Sequence, residues 1–205
     1  MILMKLINIA AAVGIVTAII FSLAGFGSDV EEIRENVLRL HILANSDSDE
    51  DQELKLKVRD RLLEVGGEIF ENTGSKEEMI SMAQDSIEPM TSAAKQVIAE
   101  NGYDYDVRIE VADTKFDERV YDGVTMPAGV YTAVNVYIGQ AEGHNWWCVM
   151  FPPMCLPAAE ESEELDDVLS DSQMDIVENS EKYEIRLKAL EIFDSIKEKI
   201  SDWLG

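Results

Sequence analysis

Apolar and polar positions along this chain change period several times, and each change marks an element. Leu38, Leu40 and Ile42 alternate with Arg39 and His41, which predicts a half-buried strand with Arg39 and His41 on its polar face. Asn45-Ser46-Asp47-Ser48 ends it. Leu54, Val58, Leu62 and Val65 then recur at helical spacing, predicting a helix from about Asp49 to Val65 or beyond, with Gly66-Gly67 a place for it to fray or end. Ser48 and Asp51 form a weak capping box at its start; Ser75 and Glu78 form a fuller one for the next helix. Met79, Ile80, Ala83 and Ile87 continue that second helical face. Pro89 kinks or restarts it, Ala94, Val97 and Ile98 resume, and Gly102 stands where a helix C-terminal glycine belongs.

The period then returns to two. Val107, Ile109 and Val111 alternate with Arg108 and Glu110, and a further run covers Phe116 to Tyr121. Asp122-Gly123 and Pro127-Ala128-Gly129 are turn material. Val134, Val136 and Ile138 alternate with Asn135 and Tyr137. Trp146 to Phe151 is apolar on both faces, which predicts a central strand covered on both sides. The pattern as a whole predicts an α/β (α+β) single domain, with a mixed or antiparallel sheet of about four to five strands packed with helices.

The two ends read differently. Lys5 precedes an uncharged stretch whose apolar part, Leu6 to Phe26, is long enough for the about 20 residues that a bilayer span needs. Lys5 before it and Asp29, Glu31 and Glu32 after it orient the stretch outward, and Ser22-Leu23-Ala24 offers a signal-peptidase site. Residues 1–28 are therefore expected to be a signal peptide or membrane anchor, residues 29–156 the α/β domain, residues 157–181 an acidic linker and residues 182–205 an amphipathic helix. Between Glu160 and Glu181 the chain carries many acids and no Lys or Arg, which predicts a solvated linker. On the final helix Ile185, Ala189, Ile192, Phe193, Ile196, Ile200 and Trp203 share one stripe.

Charge narrows the function classes. The 205 residues carry a formal net charge of -24. Such a surface repels phosphate backbones and argues against nucleic-acid binding; it also disfavours peripheral adhesion to anionic lipid. Export changes the reading of the chain's two cysteines, Cys148 and Cys155. Outside the cytoplasm such a pair favours a disulfide, here closing a short loop around Pro152-Pro153 that the chain-entropy model values at about 2.5 kcal/mol. Two buried free thiols are the alternative.

Catalytic chemistry finds little support. Cys148 with His144 or His41 could supply a thiol and a base, but the apolar run around Cys148 would raise its pKa. His41, His144, Cys148 and Cys155 lack a familiar zinc spacing. A calcium loop starting at Asn45 fails because Glu50 stands where glycine is needed and Leu56 where a bidentate acid belongs. No catalytic residue, metal or cofactor is expected.

Two stretches carry a resemblance. One is Arg39-Leu40-His41-Ile42-Leu43-Ala44-Asn45-Ser46-Asp47-Ser48, continuing through Asp51-Gln52 to Lys57-Val58-Arg59-Asp60. The other is Pro127-Ala128-Gly129-Val130-Tyr131, then Gly139, then Gly143 through Trp146-Trp147-Cys148 to Pro152-Pro153-Met154-Cys155. Together, over about Asn36 to Leu156, they resemble the stage II sporulation protein R family. The resemblance implies a protein of an endospore-forming bacterium, exported from the forespore into the intermembrane space, secreted or anchored. There it would trigger a membrane-embedded aspartic protease that processes the pro-sigma-E factor. It implies a signal and not an enzyme. The expected contact surface is where the two stretches could converge: Arg39, His41, Asn45, Asp47, His144, Asn145 and Trp146. An extracytoplasmic thiol- or metal-dependent hydrolase is the alternative.

Overall fold

The computed structural model describes residues 2–70, 75–121, 123–151, 165 and 168–204. The described chain is α+β and divides into two compact units. One comprises residues 35–116 and 130–169; the other comprises residues 1–34, 117–129 and 170–205.

The first unit is built on a mixed sheet of four strands. These are β1 (Leu38–Leu43), β2 (Val107–Phe116), β5 (Gly129–Ile138) and β6 (Asn145–Phe151), in the order β2-β5-β1-β6. β1 runs parallel to β5, with His41 opposite Asn135, and antiparallel to β6, with His41 opposite Trp147. Three helices cover one face: α2 (Asp49–Phe70), α3 (Lys76–Asp85) and α4 (Ile87–Glu100). Leu38, Leu40, Ile42, Val134, Val136, Ile138, Cys148 and Met150 from the strands meet Leu54, Val58, Leu62, Met79, Met90 and Ile98 from the helices there. The period-two and helical patterns of the sequence converge on this core.

Two open points resolve and one expectation changes. α2 continues through Gly66-Gly67 to Phe70. Each glycine costs about 1 kcal/mol relative to alanine in a helix, but Gly66 is buried and packing outweighs that cost. The break between α3 and α4 falls at Ser86. Pro89 sits in the first turn of α4, where its missing N–H would have no helical partner. β6 is an edge strand among the described residues, not a central one. It is apolar on both faces because Trp146 packs against the helix-covered core while Trp147 stacks on His41 at the opposite face.

The second unit contains α1 (Ile2–Asn36) as far as Arg34, the hairpin of β3 (Arg119–Tyr121) and β4 (Val124–Met126), and two further helices, α5 (Asp171–Glu178) and α6 (Glu184–Leu204). Among the described residues no helix is long and apolar enough to cross a membrane. Part of the expected linker is instead a helix: α5 opens on a reciprocal capping box between Ser170 and Gln173 and buries Gln173, Met174, Ile176 and Val177. Its acids point outward while one apolar face packs, so charge density misled the linear reading. Arg34 bonds Glu31, Asp194 and the carbonyl of Ala128. A Cβ on Gly129 would meet Arg34 Nε at 2.1 Å, and its φ of +155° is one that side chains rarely adopt; both require the glycine of Pro127-Ala128-Gly129.

Candidate functional site

The two stretches that carry the resemblance meet at one end of the sheet, where β1 runs into α2 and β5 into β6. Ser48 caps α2, its Oγ accepting the Asp51 N–H at 3.2 Å. The Asp51 side chain turns back and accepts from Ser46 Oγ at 2.5 Å and from Asn45 Nδ2 at 2.8 Å. Burial alone would raise the Asp51 carboxyl, but the hydrogen bonds from Ser46, Asn45 and Tyr105 outweigh it and hold the group below the usual carboxylate range. Gln52 Nε2 donates to Ser46 O at 2.9 Å. The first turn of α2 thus fixes the loop before it.

The same loop holds the β5–β6 loop. Asn45 Oδ1 accepts the Gln140 N–H at 2.9 Å; Ala44 O accepts from Gly143 N at 3.0 Å and Asn45 O from Glu142 N at 3.3 Å. The approach is so close that glycine is required twice. A Cβ on Gly139 would meet Asn45 Oδ1 at 2.2 Å, and one on Gly143 would meet Ser46 O at 2.2 Å. Lys55 completes the clasp, donating to Gln52 Oε1 at 2.6 Å and to His144 O at 2.9 Å. Burial lowers the Lys55 pKa, and Asp47 partly restores it.

Asp47, His144 and Asn145 form the exposed rim of this clasp. Asp47 Oδ1 accepts both the backbone N–H of His144 and the ring Nδ1, each at 2.5 Å. The imidazole is held at one nitrogen while its side chain remains 78% exposed. That is a fixed, solvent-facing donor and acceptor group.

Arg39 and His41 are elsewhere. They were expected on an exposed polar face, but both are buried on the sheet face opposite the helices. β1 is flanked by β5 and β6, and its second face is lined by Phe116, Tyr131, Asn135 and Trp147. The Arg39 guanidinium lies 4.0 Å from the Phe116 ring centroid and 4.8 Å from that of Tyr131. His41 Nδ1 bonds Asn135 Oδ1 at 3.0 Å, and Asn135 Nδ2 donates to Thr114 Oγ1 at 2.8 Å. His41 Nε2 makes no bond of good geometry among the described residues, although the Asn145 side chain is close enough to favour the protonated ring. Burial dominates and lowers the His41 pKa; Asn135 and Asn145 oppose it, and Arg39 adds to it.

Trp146 packs on the helix side, its ring 5.0 Å from the Arg59 guanidinium. Cys148 is buried in the helix-covered core, on the face opposite His41, so the two are not poised as a nucleophile and base. Cys155 lies outside the described residues. Among the described residues no group of three or more His, Cys, Asp or Glu side chains is arranged to hold a metal ion.

Of the expected contact residues, Asp47, His144 and Asn145 lie exposed on this rim and Asn45 lies within the clasp, while other groups that the structure brings in were not named from the sequence. Lys55, Asn135 and Thr114 carry no motif. Asp51-Gln52 stood inside the first stretch, and their spacing from Lys55 on a helix was the available signal.

The arrangement defines a small mixed-sheet α+β protein whose two loops are clasped by the start of one helix, with a polar rim outside and a buried Arg–His–Asn layer beneath. The family model for Stage II sporulation protein R (spore_II_R) matches residues 34–161, more than half of the chain, and the chain belongs to this family. Stage II sporulation protein R of Bacillus subtilis (strain 168) is 30% identical over 123 residues, covering 60% of this chain and 55% of that protein. The match thus spans about half the length of that relative. No solved structure matches.

Proposed function

We propose that this chain is an exported sporulation signal that triggers a membrane-embedded aspartic protease, which then processes the pro-sigma-E factor. Family membership supports the role in sporulation; the finer steps are what the family resemblance implies. The observation that carries the reading is the clasp. Asn45, Ser46, Asp51, Gln52 and Lys55 are engaged in internal bonds, while Asp47, His144 and Asn145 are presented outward on a fixed frame. A preorganised polar rim suits recognition, because little ordering remains to be done on binding. The rim would bind the protease's active state better than its inactive state and so shift its population.

Export rests on Lys5 and the apolar stretch from Leu6 to Phe26. Residues beyond Ser28 are then outside the cytoplasm, in the intermembrane space, with the N-terminal segment cleaved or retained. A Cys148–Cys155 bridge belongs to the same proposal and is supported by the absence of a free cysteine among the described residues. The chain would act with no catalytic residue or cofactor of its own.

Reconstitution tests the proposal. Co-expression with the cognate membrane protease and pro-sigma-E in a non-sporulating host should yield the processed factor, and omission of either protein should stop it. Asp47→Ala and His144→Ala should weaken processing in a graded way. Processing that still requires this chain but survives loss of the protease's catalytic aspartate would overturn the proposal in favour of a hydrolase.

A further inference from the structure

The layer around His41 fixes one ring nitrogen and leaves the other open. Trp147 stacks on the ring with centroids 5.9 Å apart, and Phe116 meets it edge-on at 5.7 Å. Asn135 sets the ring's hydrogens. Its Nδ2 donates to Thr114 Oγ1 at 2.8 Å, so its Oδ1 is the end that faces His41, 3.0 Å from Nδ1. A carboxamide oxygen only accepts. Nδ1 therefore carries the hydrogen of the neutral ring, and Nε2 is a bare acceptor. That Nε2 is buried and has no bond of good geometry among the described residues.

One side chain is placed to answer it. In the β1–β6 register His41 faces Trp147, and the next pair on the same face is Leu43 with Asn145. The Asn145 carboxamide is close enough to act on the His41 ring, and it makes no other hydrogen bond among the described residues. Its two ends are unlike: Nδ2 donates and Oδ1 accepts. Against a bare Nε2 the amide must offer Nδ2, and Oδ1 then turns outward. Against a protonated ring it must offer Oδ1, and Nδ2 then turns outward. Outward is the rim, where Asn145 is exposed and directly follows His144.

We infer that His41 is a positioning residue for the rim, its proton deciding whether Asn145 shows a partner an acceptor or a donor. This rests on the rim being the contact surface proposed above, and it names the chemistry of that contact. With the ring neutral, Asn145 Oδ1 joins the Asp47 carboxylate on the rim, so the partner's matching segment brings donors: arginine, lysine or free backbone N–H groups. Acid inverts Asn145. The charge that acts on His41 is Arg39, which opposes protonation. From β2, β5 and β6 the ring meets Phe116, Asn135, Trp147 and Asn145, none of which titrates. Asp47 is bonded to His144, and Glu110, further along β2, to Arg108 and Tyr137.

The chain's two histidines make the test direct. The full chain, labelled with nitrogen-15 at histidine and asparagine, is followed by NMR in detergent, and His144→Gln assigns the two rings. The expected result at pH 7.5 is a protonated Nδ1 and a bare Nε2 on His41, with a scalar coupling through the hydrogen bond from Asn145 Nδ2 to Nε2. The coupling should vanish as the ring titrates. A neutral ring protonated at Nε2 would overturn the inference. So would a bare Nε2 that shows no coupling and keeps its shift in Asn145→Ala. The purified chain is then added to the protease and pro-sigma-E in liposomes from pH 7.5 downward, beside His41→Gln, which keeps an acceptor and takes no proton. Processing by the parent relative to the variant should fall about tenfold for each pH unit below the folded His41 value, as a single histidine titration does. Circular dichroism checks folding; if the variant does not fold, the NMR result decides alone. A ratio that stays constant through the His41 titration would overturn the inference. No processing by either chain at any pH would count against the trigger reading and not against the His41–Asn145 link, which NMR decides.

Discussion

Replacing Gly143 by alanine isolates the loop-to-loop clasp. Gly143 has no left-handed backbone, so the substitution introduces a steric demand and no φ penalty. The new Cβ would stand 2.2 Å from Ser46 O and 2.5 Å from Ser46 C. A carbon contact wants about 3.5 Å, so the loops must part by roughly 1 Å. Ser46 O cannot swing aside freely, because Gln52 Nε2 holds it at 2.9 Å. Parting the loops weakens the 3.0 Å bond from Gly143 N to Ala44 O, the 3.3 Å bond from Glu142 N to Asn45 O and the 2.9 Å bond from Lys55 Nζ to His144 O. At about 1 kcal/mol net for each such bond, the expected loss is about 3 kcal/mol. Urea unfolding of the purified protein reads it directly, as a lower midpoint at unchanged slope. In the processing assay the same variant should signal weakly even below its unfolding temperature, since Asp47 and His144 no longer share a fixed frame. Stability within about 0.5 kcal/mol of the parent, the range of an ordinary surface change, would refute the claim that the clasp is rigid.

Other outcomes follow from burial. Because burial lowers the His41 pKa, the fold favours the neutral ring; its contribution is fully present above about pH 6.5, the unfolded value, and is lost as pH falls through the lowered folded value. Unfolding curves at pH 7 and pH 5 should show this loss, and His41→Gln should flatten it; a parent protein equally stable at both would contradict it. Arg39→Ala removes a fully buried side chain from above Phe116 and Tyr131 and should cost on the order of 3 kcal/mol; a loss under 1 kcal/mol by thermal unfolding would show that this layer repacks. Amide exchange should protect residues 174–178 far more than a solvated linker allows, because Met174, Ile176 and Val177 are buried. Exchange there as fast as in free peptide would restore the linker reading.

The elements legible in the sequence were those whose two faces differ. β1, α2 and the α3–α4 break could be read because Leu38, Leu40 and Ile42, the Leu54–Leu62 face and Pro89 each announce a local rule. What escaped was decided by distant residues. β1 looked half-buried because Arg39 and His41 are polar, yet Phe116, Tyr131 and Asn135 from other strands supply rings and an amide that let them be buried. β6 looked central because tryptophans occupy both its faces, but face coverage and position in a sheet are independent. α5 was hidden beneath its acids. At the site, the exposed rim was named from its motifs, whereas Lys55 is a single lysine whose acceptors are brought to it only by folding.

The place of β1 in the sheet also sets an order in time. It is the earliest strand to be made, yet its neighbours β5 and β6 are made last; His41 and its partner Asn135 are 94 residues apart. At about 5–20 residues per second of synthesis, β1 waits on the order of 5–20 s with both edges open. An unpaired apolar strand is a hazard for wrong pairing. Arg39 and His41, polar until their aromatic and amide partners arrive, act during that interval as gatekeepers against aggregation. A chain threaded across a membrane from its N-terminus would share this delay, and its sheet could not close until β5 and β6 had followed.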